Sequence, residues 1–90
     1  IRLLNIAVDT NNLNMVSFLI DSGARVNGKD MYGKTPLIIA ASKGYFDIAK
    51  KLLDSGARLH SSDNEGFTAL DYAKMNKDYS MVELLRSRKK

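Results

Sequence analysis

The segment GKDMYGKT, residues 28 to 35, has the residue types and the spacing of a phosphate-binding loop. In the pattern G-x-x-x-x-G-K-[ST], two glycines let backbone N–H groups surround the phosphates of a nucleotide. The Lys reaches the terminal phosphates, and the Ser or Thr hydroxyl contacts magnesium. Gly28, Gly33, Lys34 and Thr35 would take these roles here. The chemistry would be the binding of ATP or GTP, provided that the surrounding elements can hold such a loop.

A phosphate-binding loop needs a buried strand before it and a helix after it, within a sheet of parallel strands. The preceding residues SGARVN do not form a continuous apolar run. At ~30 residues or more for each βαβ unit, the 90-residue chain has room for three at most. No apolar strand ends in an Asp that could hold magnesium. The elements around the segment therefore do not favour a nucleotide site.

The composition excludes several further classes of functional site. The chain has no Cys and a single His, His60, which excludes a thiol nucleophile, a disulfide framework and a histidine-rich zinc site. No apolar run approaches the ~20 residues of a membrane-spanning helix. We therefore expect an intracellular protein, cytoplasmic or nuclear, that is not an enzyme and uses no cofactor, metal or membrane partner. Because the chain begins with Ile1 rather than Met, we interpret it as a fragment of a longer protein.

The strongest feature of the sequence is an internal repeat. SGAR occurs at residues 22–25 and at residues 55–58, which are 33 residues apart. The same shift aligns residues along the whole chain, in the sets Asp30 and Asp63; Gly33 and Gly66; Thr35 and Thr68; Leu4, Leu37 and Leu70; Ala7, Ala40 and Ala73; and Met15, Ile48 and Met81. We therefore divide one domain, residues 1–90, into three repeats at about residues 1–28, 29–61 and 62–90.

The middle repeat predicts two helices and a loop. Thr35 is a favourable N-cap, and Pro36 suits the first helical position. Gly44 predicts the end of this helix in a left-handed conformation. The second helix is predicted to bury one face, formed by Ile48, Ala49, Leu52 and Leu53. Residues 57 to 67 are polar and rich in turn residues, which predicts a projecting loop whose turns are capped by Asp30 and Asp63.

The alignment extends these predictions to the outer repeats. Met15 and Met81 share the position of Ile48, so we expect both in the core. Asn11 stands at the position of Gly44, where Asn can still adopt a left-handed conformation.

These residues resemble the ankyrin repeat family. DMYGKTPLIIAASKGYFDIAKKLLDSGARLH has the family signature almost in full, with D-x-x-G-x-T-P-L, the paired Ala, the Gly before the second helix and the G-A turn. LLNIAVDTNNLNMVSFLIDSGARVN and DNEGFTALDYA have weaker copies, and Ile38 and Asp71 stand where the family usually has His. The resemblance implies an all-α solenoid of stacked helix-turn-helix units with projecting β-hairpin loops. It also implies a non-catalytic module that binds another protein.

The repeat also explains the match to a phosphate-binding loop. Gly33 has its counterpart in Gly66 as a turn residue, and Thr35 has its counterpart as a helix cap in Thr68. Lys34 aligns with Phe67, so the repeat requires no phosphate-binding Lys at this position. We expect no binding of ATP or GTP.

Similar ankyrin proteins bind partners on a concave face formed by turn tips and inner helices. Transferred position by position, the resemblance predicts a partner-binding set of Met31, Tyr32, Lys34, Ile38, Ser42, Lys43, Asn64, Glu65, Phe67, Asp71 and Met75. We expect Tyr32 and Phe67 to act as aromatic anchors, and Lys34 and Lys43 to select an acidic or polar segment. The alternative for the apolar tip residues is packing between adjacent turns.

Three further readings stay open. The net charge of +4 and the terminal RSRKK, together with Lys43, Lys50 and Lys51, allow electrostatic binding of nucleic acid. The repeats could instead target or regulate a larger enzyme. In similar ankyrin repeats an Asn or His at one hairpin position can be hydroxylated, so the resemblance implies Asn27 and His60 as candidate modification sites; the alternative for His60 is a structural role in its turn.

Overall fold

Three helix-turn-helix units follow one another in the computed structural model, which describes residues 3–88. The helices are α1 (Leu3–Asp9), α2 (Leu13–Asp21), α3 (Pro36–Lys43), α4 (Phe46–Asp54), α5 (Ala69–Met75) and α6 (Tyr79–Ser87). The inner helices α1, α3 and α5 pack side by side in one layer, and α2, α4 and α6 pack in the other. The predicted all-α solenoid of ankyrin type is confirmed.

The connecting loops contain less β structure than expected. Within residues 3–88 no strand forms, and the loop before α5 has a single antiparallel bridge between Ser62 and Thr68. Tight turns lie at residues 31–33 and 64–66. The reason is that each loop is held by side-chain caps and by the neighbouring loop rather than by a ladder of backbone hydrogen bonds.

Local signals set the helix ends. The Thr35 hydroxyl accepts a hydrogen bond from the Ile38 backbone N–H at 3.2 Å, with Pro36 at the first position of α3. Gly44 ends α3 with φ of 74°. Asn11 and Lys77, at the equivalent turns, have φ of 57° and 55°. A left-handed conformation costs a residue with a side chain roughly 1–2 kcal/mol, so the outer repeats tolerate a strain that Gly44 avoids.

The core lies between the two helical layers and along the stack. Its largest fully buried side chains include Leu37, Ile38, Ile48, Leu52, Met81 and Leu85. The prediction for Met81 is confirmed, and the prediction for Met15 is wrong, because the Met15 side chain is 44% exposed. Residues at this position face the preceding repeat, and the first repeat has no neighbour on that side within the described residues.

Candidate partner-binding groove

Two turns of the same construction stand beside the inner helices. Asp30 Oδ1 accepts hydrogen bonds from the backbone N–H groups of Tyr32 and Lys34, both at 2.9 Å. Asp63 Oδ1 accepts the equivalent bonds from Glu65 and Phe67 at 2.9 and 3.0 Å. The predicted capping role of both Asp residues is confirmed, and each turn presents a rigid tip.

The second turn is stacked directly on the first. The Asn64 backbone N–H donates to the Tyr32 carbonyl at 3.0 Å, and Asn64 Nδ2 donates to the Met31 carbonyl at 3.2 Å. A Cβ atom on Gly33 would come within 2.3 Å of Asn64 Oδ1. Asn64, which the resemblance places in the partner-binding set, therefore joins the two turns. Gly33 is needed both for its φ of 77° and for this close approach.

The turn tips expose apolar side chains to different extents. Met31 is 81% exposed and Tyr32 is 64% exposed. Phe67 is 37% exposed, and its ring lies against Tyr72 with 5.7 Å between ring centroids. Met31 and Tyr32 are thus largely in solvent, whereas Phe67 also packs within the third repeat.

Tyr72 organises a polar cluster that sequence reasoning missed. Its hydroxyl donates a very short hydrogen bond to Oδ2 of the buried Asp63, and Lys34 Nζ lies 5.4 Å from the centroid of its ring. The available signal was a Tyr at an inner-helix position where the preceding repeat has Ile39. A phenol at such a position needs a polar partner when it is buried.

The pKa values of this pair move apart. Burial would raise the pKa of Asp63, but the hydrogen bond from Tyr72, the backbone N–H groups of Phe67 and Glu65, and the charge of Lys34 outweigh burial and lower it. The hydrogen bond to Asp63, followed by burial, raises the pKa of Tyr72 to about 12. The carboxylate is therefore the stable form of Asp63 and the neutral phenol that of Tyr72 across the physiological range.

A groove of about 720 Å³ lies between the first turn and the helices α1 and α3. It is lined by Asn5, Ile6, Asp9, Asp30, Met31, Tyr32, Lys34, Ile39, Ser42 and Lys43. Five of the predicted partner residues are among them, namely Met31, Tyr32, Lys34, Ser42 and Lys43. Of the other five, Asp9 stands at the inner-helix position equivalent to Ser42, which sequence reasoning had already placed on the binding face. Asn5, Ile6, Asp30 and Ile39 were not predicted, because only the packing of α1 against α3 and the turn reveals them.

The charged groups of the groove balance one another. Lys43 Nζ lies 3.0 Å from Asp9 Oδ1, and the hydrogen bond to Asp9 is the main reason that the pKa of Lys43 is raised. Both side chains are largely exposed, so the pair adds little stability. Lys43 nevertheless offers less free positive charge to an acidic partner than the sequence suggested.

Several predicted residues lie elsewhere. Ile38 is 1% exposed and belongs to the core, so its assignment to the partner surface is wrong. The Asp71 carboxylate accepts a hydrogen bond from the Thr68 backbone N–H at 3.0 Å and completes a capping box at the start of α5. Met75 is 54% exposed at the end of α5, and Glu65 is exposed at the second tip. The reason for the error at Ile38 is its helical register, which points it to the core.

Asn27 and His60, which are equivalent in the repeat, differ in their contacts. Asn27 Oδ1 accepts from the Arg58 backbone N–H at 2.8 Å, and its Nδ2 donates to the Gly56 carbonyl at 3.4 Å. Asn27 thus joins the first repeat to the second. His60 is exposed and lines a depression together with Leu59.

Within residues 3–88, several basic groups are paired with acids instead of forming one continuous stripe. Lys51 pairs with Asp21 at 3.5 Å and Arg88 pairs with Asp54 at 2.7 Å, both across neighbouring outer helices. Lys50 and Arg86 are exposed, while Lys89 and Lys90 lie outside the described residues. Within residues 3–88, no helix has the length and apolar character needed to cross a membrane.

Comparison with known proteins agrees with this architecture. A family model described as ankyrin repeats (3 copies) matches residues 4–90. The chain is also similar to the potassium channel AKT1 of Arabidopsis thaliana, with 44% identity over 45 residues. That match covers 50% of this chain and 5% of the channel. With the repeat, the caps and the stacked helical layers all in place over almost its whole length, the chain belongs to the ankyrin repeat family.

Proposed function

We propose that this chain is a non-catalytic module that binds a partner protein through the groove and the first turn tip. Ankyrin repeats are generally protein–protein interaction modules. The observation that carries the proposal here is the exposure of Met31 and Tyr32, 81% and 64%, at the edge of the groove. Large apolar side chains grouped beside a concave surface are typical of a binding site.

The rigidity of the tip supports the same proposal. Asp30 fixes the turn from inside, and Asn64 fixes it from the neighbouring turn. A partner that binds here would not have to order the loop, so little binding free energy would be lost to conformational entropy. Tyr32 would serve as the main anchor, since Phe67 is partly used by its contact with Tyr72.

Protein is favoured over nucleic acid as the partner by the distribution of charge. Lys43, Lys51 and Arg88 each lie beside a carboxylate, which lowers the local positive potential. Binding to phosphates would require several unneutralised cations on one face. The basic end of the chain is therefore proposed as a secondary feature rather than the binding surface.

The relative found by comparison suggests a wider context. The similar segment is 5% of a potassium channel, so repeats of this kind occur as a small part of a much larger protein. We propose the same arrangement here, with the repeats targeting or regulating the rest of an intracellular protein. Hydroxylation of Asn27 and His60 stays a prediction, to be checked by mass spectrometry of the protein isolated from cells.

The proposal is tested by affinity capture from cell lysate, read by mass spectrometry. The test variant is Met31→Ser with Tyr32→Ser. The matched control is Tyr79→Ser, since Tyr79 is 72% exposed on α6 and does not line the groove. Circular dichroism first establishes that all three chains are helical to the same extent.

We expect proteins that the wild type and Tyr79→Ser capture and that the double variant loses. Equal capture by all three would contradict the groove as the binding surface. If that equal capture disappeared at high salt and after nuclease treatment, nucleic acid would be the partner instead.

A further inference from the structure

The inner helices of the second and third repeats differ in how they bond to the turns beside them. Tyr72 on α5 donates its hydroxyl proton to Asp63 Oδ2, so both oxygens of Asp63 accept hydrogen bonds. The equivalent residue on α3 is Ile39, which has no donor. Asp30 accepts two backbone N–H groups through Oδ1, but among residues 3–88 no counterpart of the Tyr72 bond reaches it.

In the second repeat, the residues at the positions of Asp63 and Tyr72 are Asp30 and Ile39. Asp30 and Ile39 both line the groove, and Asp63, by contrast, is buried with 6% exposure. Ile6, which faces the same groove from α1, is 51% exposed although it is a large aliphatic residue. Ile6 of the first repeat, with the edge of the largely buried Ile39, therefore forms an apolar surface beside the Asp30 carboxylate. Within residues 3–88, Oδ2 of Asp30 accepts no hydrogen bond.

The charges of the groove select a neutral occupant. Its charged lining residues are Asp9, Asp30, Lys34 and Lys43, two acids and two bases. Lys43 already pairs with Asp9 at 3.0 Å. With no net charge, the groove does not favour a cationic or anionic side chain, whereas an apolar ring that carries one hydrogen-bond donor complements both Ile39 and Asp30.

We propose that the groove is a subsite for a tyrosine side chain of the partner. The ring packs on Ile39 and Ile6, and its hydroxyl donates to Asp30 as Tyr72 donates to Asp63. The protein's own third repeat thus contains a covalently attached version of the ligand that its second repeat accepts. The proposal rests on the proposed function for the existence of a partner, but the subsite can be measured without one.

The test uses p-cresol, which is the tyrosine side chain without its backbone, in an NMR titration of the isotopically labelled chain. We expect saturable shifts at Ile6, Ile39 and the backbone N–H groups of Tyr32 and Lys34. Toluene, which lacks the hydroxyl, should bind about tenfold more weakly, as expected for the loss of one hydrogen bond to a carboxylate. n-Butylammonium, the lysine side-chain analogue, should bind no better than toluene.

Two variants locate the site. Ile39→Tyr should place the chain's own phenol against Asp30 and abolish the p-cresol shifts. Asp30→Asn keeps an oxygen for the backbone N–H groups but replaces the second acceptor, so its affinity for p-cresol should fall to that for toluene. Tyr79→Ser, away from the groove, should bind p-cresol as the wild type does.

Equal affinities for p-cresol and toluene, tighter binding of n-butylammonium, or unchanged p-cresol binding in Asp30→Asn would overturn the proposal. The two proposals fail separately. If p-cresol does not bind while the Met31 and Tyr32 substitutions still abolish capture, only the tyrosine subsite is wrong. If p-cresol binds as expected while capture is unaffected by those substitutions, the subsite stands and the proposed function is wrong.

Discussion

The first and second repeats place similar residues at equivalent positions and bury them to different extents. Met15 is 44% exposed where Ile48 is 1% exposed, and Ile6 is 51% exposed where Ile39 is 6% exposed. Within residues 3–88, the second repeat has a neighbour on each side, and the first has one on its C-terminal side only. In a stacked fold, the burial of a residue therefore depends on the interface between repeats, so similar residues at equivalent positions do not contribute equally to stability.

The largest effect is expected from truncating the shared core position. Ile48→Ala should lower the free energy of unfolding by about 2–5 kcal/mol, because it leaves a cavity between repeats. Met15→Ala should cost about 0.5 kcal/mol or less, since the side chain is largely in water. Chemical denaturation followed by circular dichroism measures both. Similar costs would mean that the first repeat is covered as fully as the second.

The two turn glycines give the next test of the comparison. Gly33 and Gly66 have φ of 77° and 87°, so Ala should cost about 1–2 kcal/mol at either from backbone strain alone. At Gly33 the new Cβ would also displace Asn64 and its hydrogen bonds, which raises the expected cost to about 2–4 kcal/mol. Gly66 has no atom within 4 Å of such a Cβ. Equal melting temperatures for the two variants would contradict the stacking of the turns.

The Tyr72–Asp63 hydrogen bond should matter more than any contact of the exposed Tyr32. Tyr72→Phe leaves a buried carboxylate oxygen without its donor and should cost about 1–3 kcal/mol at neutral pH. Tyr32→Phe is the matched control, and its cost should stay below about 0.5 kcal/mol. The free energies of unfolding of both variants in urea measure the difference, and equal values would show that the bond contributes nothing.

The pKa values of Asp63 and Tyr72 predict how the free energy of unfolding depends on pH. Because folding lowers the pKa of Asp63, the stability that its carboxylate contributes is complete above the pKa of an unfolded Asp, ~4. This contribution is lost as pH falls below that value towards the lowered pKa of the folded state. Because folding raises the pKa of Tyr72 to about 12, its stabilisation is full below the unfolded value of ~10 and is lost as pH rises towards 12. Tyr72→Phe should therefore remove the part of the alkaline decline between these values that belongs to Tyr72. An identical alkaline profile in wild type and variant would contradict the assignment.

The smallest effect is expected at the hairpin pair Asn27 and His60. Asn27→Ala removes two hydrogen bonds between repeats and should cost about 0.5–1.5 kcal/mol. His60→Ala, at the equivalent exposed position, should change stability by less than about 0.5 kcal/mol. Thermal unfolding compares the two. A larger cost at His60 would mean that His60 contacts the third repeat as Asn27 contacts the second.

Sequence reasoning was correct for residues that bond to, or set the conformation of, the backbone within a few positions of themselves. Thr35, Gly44 and the capping residue Asp30 were predicted correctly, because each satisfies or strains groups within four residues of itself. It failed at Ile38 and Met15. Ile38 was transferred to the binding face from the family position without regard to helical register, and Met15 was equated with Ile48 although its neighbour differs.

The candidate site was predictable only in part. Exposed Met31 and Tyr32 follow from their place at the turn tip. The groove itself was not predictable, because Asn5 and Ile6 reach it from α1, more than twenty residues away in the chain. The roles of Lys34 and Asn64 also changed, since one lies over the ring of Tyr72 and the other is bound to the adjacent turn.

By itself, the sequence determined the 33-residue period, the helix caps, the left-handed turns and, through them, the family. These features are local, and local backbone conformation depends on residues within about one helical turn. Only the tertiary structure decided which of the equivalent residues are buried and where the groove lies. It also decided that Asp63 accepts a hydrogen bond from Tyr72, whereas Asp30 accepts none from α3. The physical reason is that the repeat makes equivalent positions alike in sequence, and the presence or absence of a neighbouring repeat then makes their surroundings different.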